Sequence, residues 1–154
     1  LTDSTLTLTG SDTPLIEICT SVTGTVTIEN CSFTVPSGVL MKVDYNTGWS
    51  TKNPVAYLVL NKSTASGANN AYTGNVTVDS YGTATVTVAS GVTWTGAYDS
   101  GNTGKSVTAV INGTWTLSAN SYVDTLTVGT TGIVNCGGYT LTCGTTNNSG
   151  IINK

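Results

Sequence analysis

Eight Asp and Glu residues, five lysines and four cysteines are the chemically active side chains of this 154-residue chain, which has no Arg and no His. A hydrolase needs two carboxylates held at a fixed separation, and a proton-abstracting lyase needs a positioned base. Asp79, Asp99 and Asp124 fall at different points of their surrounding patterns. Lys42, Lys52, Lys62 and Lys105 are spread over the chain. A Ser or Cys nucleophile would lack the imidazole that usually activates it. The expectation is a protein that is not an enzyme and uses no cofactor.

Metal chemistry is equally thin. "DYNTG" at 44–48 and "DSGNTG" at 99–104 alternate side-chain oxygens with a Gly, as a calcium loop does. Neither completes the ligand series or supplies a closing Glu, so Asx turns are the plainer expectation and no metal is assigned. The cysteines form two local pairs, Cys19 with Cys31 and Cys136 with Cys143. Without His a zinc site is poorly supplied. Two disulfides in an oxidising compartment are expected, with buried free thiols as the alternative.

Partners are limited by charge. A net charge of −3 without arginine disfavours nucleic acid and anionic membranes, both of which call for clustered cations. The longest apolar run, "VAYLVL" at 55–60, is too short for a membrane-spanning helix, and no membrane insertion is expected.

What the chain does carry is hydroxyl groups: 32 Thr and 15 Ser. They alternate with apolar residues at period two in "TLTLT" (5–9), "TVTIE" (25–29), "NVTVD" (75–79), "TATVTV" (83–88) and "YTLTC" (139–143). That period marks strands with one buried face, and Thr, Val, Ile and Tyr suit the pleat. Gly, Ser and Asn fill the breaks, and no helix is expected. Residues 75–153 divide into three loosely similar sets: 75–94, 107–128 and 132–153, with "AYDSGNTGK" (97–105) as an insertion. Short strands recurring at this interval predict one all-β domain over 1–154, a parallel β-solenoid of about five or six coils. An antiparallel β-sandwich or jelly roll is the alternative.

The run "INGTWTLSANSYVDTLTVGTTGIVNCGGYTLTCG" (111–144) resembles right-handed parallel β-helix surface proteins of the autotransporter-passenger and adhesin kind, and the resemblance extends over about 75–144. It implies a right-handed coil, a location outside the cell or on its surface, and no catalytic residues. Residues 1–74 depart from the pattern.

Several positions are singled out within this frame. Thr85/Thr87, Thr114/Thr116 and Thr140/Thr142 occupy the second strand of each set, which predicts two ranks of hydroxyls on one face. Such ranks suit either solvent-facing hydroxyl ladders or ice. Phe33, Trp94, Trp115 and Tyr139 share the parity of apolar neighbours and are expected in the core, whereas Trp49 and Tyr98 are the surface aromatics for a glycan. Glycosylation sequons stand at Asn30, Asn61, Asn75, Asn112 and Asn147, about as many as chance supplies. Neither end carries a capping helix. Thr5, Leu6, Thr7, Leu8 and Thr9, within residues 1–10, therefore form a candidate strand for exchange with another copy. The function expected is that of an extracellular structural protein, a self-assembling filament subunit or adhesin stalk. Ice binding is the second class and glycan binding the third, and the expected partners are the chain itself and host or surface glycans.

Overall fold

The computed structural model describes residues 1–46, 48 and 52–154, and all the regular structure among them is strand. In chain order the strands are β1 (Thr5–Thr7), β2 (Ile16–Cys19), β3 (Thr23–Ile28), β4 (Ser32–Thr34), β5 (Val39–Asp44) and β6 (Val55–Leu60). Then come β7 (Ala71–Thr73), β8 (Asn75–Val78), β9 (Thr83–Val88), β10 (Thr93–Thr95) and β11 (Ser106–Ile111). The last are β12 (Thr114–Thr116), β13 (Ser121–Val128), β14 (Ile133–Asn135), β15 (Leu141–Asn148) and β16 (Ile151–Asn153).

The strands pair in four sheets: β1-β4, β2-β5-β8, β3-β6-β9-β11-β13-β15 and β7-β10-β12-β14-β16. Every named ladder is parallel, which removes the antiparallel sandwich and jelly roll. The local cause lies in the corners. Left-handed residues such as Asn30 (φ 49°), Gly38 (φ 67°) and Gly91 (φ 78°) turn the chain into the next sheet, not back along the strand it has left.

Alternation decides what faces inward. In β9 the side chains of Ala84, Val86 and Val88 are buried, while Thr83, Thr85 and Thr87 lie on the outer side. Register then stacks like on like. Leu58, Val86, Ala109 and Leu126 form one buried column, and Leu60, Val88, Ile111 and Val128 form another.

The largest side chains stack the same way. Tyr72, Trp94 and Trp115 are register partners on β7, β10 and β12. The two indoles lie 5.1 Å apart at 10°. Their Nε1–H groups donate to the carbonyls of Gly74 and Gly96, each at 2.9 Å, so neither buried N–H is left unpaired. Gly96 has to be glycine here, because a Cβ would sit 2.2 Å from the Gly74 oxygen.

Within the chain, residues 5–9 are paired: β1 lies in register with β4, and Leu8 N donates to Thr34 O at 2.9 Å. A neighbouring segment of the same chain satisfies those amides at high effective concentration, and the outer edge is open. One expectation is corrected, since 97–105 is not simply an insertion. Tyr98 bridges to Val76, and Tyr122 N donates to Tyr98 O at 3.0 Å, so Ala97–Asp99 supplies the rung between β8 and β13.

Trp115→Ala is expected to lower unfolding stability by about 3–5 kcal/mol, as removal of a fully buried aromatic does. Trp115→Phe keeps a ring but strands the Gly96 carbonyl, for an expected cost of about 1–3 kcal/mol. Urea unfolding followed by circular dichroism measures both, and an unchanged midpoint for the alanine variant contradicts the stacked core.

Candidate functional site

The outer face of the six-stranded sheet is that of the widest sheet among the described residues. Its central column runs Thr25, Tyr57, Thr85, Thr108, Thr125, Thr145. Beside it runs a second, Thr27, Val59, Thr87, Val110, Thr127, Asn147. A third, over the first four strands, holds Thr23, Val55, Thr83 and Ser106. No Asp, Glu or Lys stands in these columns. Among the described residues, the hydroxyls of Thr25, Thr85, Thr108, Thr125 and Thr145 have no protein hydrogen-bond partner. Thr103 and Thr131, in corners, are occupied instead: Thr103 Oγ1 donates to Val78 O at 2.6 Å, and Thr131 Oγ1 to Asn112 O at 2.6 Å. Tyr57, 42% exposed, stands on the central column.

The predicted threonine face is therefore composed differently. Thr85 and Thr87 belong to it. Thr114 and Thr116 lie on the five-stranded sheet, paired with Thr93 and Thr95, and Thr142 lies opposite Tyr122. Thr140 precedes β15, its amide donating to Asn120 Oδ1 at 2.9 Å. The error was one of strand assignment. With 97–105 set aside as an insertion, "TVTV" was aligned with "TWTL", whereas its register partner is "VTAVI". Thr108, Thr125, Thr127 and Thr145 were missed for that reason, although their alternation was legible.

The C-terminal end is a second surface. A cleft of about 540 Å³ is lined by Leu126, Cys136, Leu141, Cys143, Thr146 and Ile152, with Tyr139 45% exposed at its rim. Tyr139 is thus not the core residue expected. All four cysteines are free thiols, so neither predicted disulfide is present. Burial pushes the Cys143 thiol up from its ordinary pKa, against a hydrogen bond from Thr146 that lowers it. Such a thiol is less ionised and less nucleophilic than a free one.

Two acids occupy corners and serve the backbone there. Asp99, 4% exposed and at φ 46°, accepts from Thr103 N (3.1 Å) and Gly104 N (3.0 Å). Asp79 accepts from Tyr45 N (2.7 Å), Tyr81 N (2.9 Å) and Gly82 N (2.9 Å). Asp124 Oδ2 accepts from Val107 N at 2.7 Å and shares with Asp99 a cavity of about 180 Å³. Asp79 and Asp99 spend their lone pairs on turn amides, which is the Asx-turn role, whereas Asp124, within β13, binds an amide of the neighbouring strand β11. Lys42 pairs with Asp44 at 2.6 Å and Glu17 at 3.7 Å, and the hydrogen bond to Asp44 raises its pKa.

One corner is imperfect. Thr20, 4% exposed and at φ 62°, buries Oγ1 without a partner, as Asp44 buries Oδ1 beside it. A β-branched residue in the left-handed region is strained.

The other singled-out residues are placed as follows. Phe33 stacks on Tyr72 with ring centroids 5.9 Å apart. Tyr98 is fully buried and hydrogen-bonds to Thr108 O at 3.2 Å, so it is not a surface aromatic. Trp49 lies outside the described residues. Three sequon amides are engaged: Asn30 Nδ2 with Asp3, Asn61 Nδ2 with Glu29 (both 2.7 Å), and Asn75 Oδ1 with Ala97 N (2.8 Å). Asn112 is half-buried, and Asn147 is exposed on β15.

An all-β chain of parallel sheets is compatible with a parallel β-helix. No protein-family profile, curated protein or solved structure matches this chain.

Two measurements check this geometry. Burial, with lesser contributions from Asp99 and Asp124, raises the Tyr98 pKa well above 10.0. The folded chain then keeps a proton that the unfolded chain loses, so stability is full below pH 10 and falls as pH rises past it. Tyr98→Phe is expected to flatten that alkaline loss while costing about 1 kcal/mol at neutral pH for the hydrogen bond; a pH series of urea midpoints reads both. Thr20→Gly is expected to raise stability by about 1 kcal/mol, by relieving strain and an unpaired hydroxyl. A lowered midpoint contradicts that assignment.

Proposed function

We propose that the four sheets are faces of one right-handed parallel β-solenoid, and that the chain is a non-catalytic structural segment of an extracellular filament or adhesin stalk. The observation that carries this reading is the last rung. β15 and β16 each pair on one side only, beside a cleft lined by Leu126, Leu141 and Ile152. Unpaired parallel edges over an apolar cleft are a template for one more rung of the same kind. That rung comes either from another copy or from flanking polypeptide. Low charge supports close approach of like surfaces, since there is little repulsion to overcome. The glycan alternative loses Tyr98 to the core, and Tyr57 and Tyr139 are the large exposed aromatics among the described residues.

Negative-stain electron microscopy and sedimentation velocity over a concentration series test the assembly. Concentration-dependent, axially growing particles are expected, and Leu141→Lys with Ile152→Lys is expected to return them to monomers by placing cations in the cleft. A wild-type chain that stays monomeric at every concentration, with no protection of β15 amides from hydrogen exchange, contradicts an adhesive end.

A further inference from the structure

We propose that the outer face of the six-stranded sheet binds ice. The inference rests on the strand pairings and on the side chains they array, and is independent of end-to-end assembly. Three properties of the face select the partner.

Periodicity comes first. Strand spacing of about 4.8 Å and a two-residue rise of about 6.6 Å set the repeat of the side-chain ranks. From β3 to β11 the register is unbroken along all three columns. A two-dimensional array of this kind matches a partner that is itself a lattice.

Chemistry comes second. Five threonines occupy the six positions of the central column, and Thr27, Thr87 and Thr127 alternate with Val59 and Val110 along the next. Thr and Val present nearly the same shape. As far as Thr127 the second rank is thus a row of methyls with hydroxyls at alternate rungs, ending in Asn147, and the central threonine hydroxyls have no protein partner. Asparagines elsewhere do the opposite: on the five-stranded sheet Asn153 Nδ2 donates to Asn135 Oδ1 at 2.7 Å. The free hydroxyls are available to anchor ordered water, and the methyls to shape the space between.

Charge and area exclude the competitors. A polyanion needs cations, and these columns hold no Lys. A second copy would bury too little: six strands by five residues span roughly 24 Å by 15 Å, or about 700 Å² for both partners, against about 1,200 Å² for a stable interface. A crystalline polysaccharide would call for a row of aromatic platforms, and the columns hold Tyr57 alone.

The test uses the full chain. Ice crystals are grown in its presence, with crystal shaping and recrystallisation inhibition recorded, and fluorescently labelled protein is imaged on a single ice crystal. Thr108→Lys and Thr125→Lys are compared with Thr116→Lys on the other sheet, with circular dichroism confirming that each is folded. The wild type and Thr116→Lys are expected to coat and shape ice, and the two face variants to lose both effects. Thr108→Val and Thr108→Ser separate methyl from hydroxyl. A folded wild type that leaves ice unshaped overturns the proposal, as do face variants that retain full activity. Retention on crystalline cellulose or chitin without ice binding overturns it too, and gives the face to a polysaccharide. Ice shaping is read as well on the chain carrying Leu141→Lys and Ile152→Lys, which is expected to stay monomeric, so its failure is distinguishable from failure to form filaments.

Discussion

Trp115 lies flat on Trp94, and each indole reaches back to a carbonyl one rung below, so neither ring can slide without exposing a buried N–H. The rest of the structure depends on that kind of constraint. Parallel rungs share their hydrogen bonds evenly along the strand, and nothing in the backbone alone opposes a slip of two residues. Side chains supply the opposition. An indole over an indole, leucine over valine over alanine, and asparagine over asparagine are satisfied in one register and mismatched in the next.

Corners enforce the same register from outside. Asp79, Asp99 and Asn30 bind backbone amides that a turn between sheets would otherwise leave unpaired. This explains why so few ionisable groups remain for anything else: the buried or half-buried acids are structural, and Lys42 is held by Asp44 and Glu17. A chain organised in this way leaves the hydroxyl-bearing outer faces and the two ends as its available surfaces.

Those two surfaces differ in kind. An end offers unpaired backbone and an apolar cleft, which favour a continuing strand. The six-stranded face has its backbone fully paired in the interior of the sheet and offers only side chains, regularly spaced and uncharged. The first is the surface proposed above for a continuing strand, and the second the one proposed for ice.

Alternation by itself determined most of the strands, the all-strand character of the described residues, and the inward placement of Trp94 and Trp115, because period two places every second side chain on one face. It also brought out the hydroxyl excess that makes the outer faces neutral. Which strands stack was decided by tertiary structure. Ala97–Asp99 supplies a rung from a stretch with no alternation to reveal it, so Thr85 aligns with Thr108 and Thr125, not with Thr114. Burial of Tyr98 and exposure of Tyr139 followed from the same cause. Parity within a strand tells inside from outside, but only the packed rungs tell which face a strand has joined and whether another rung covers it.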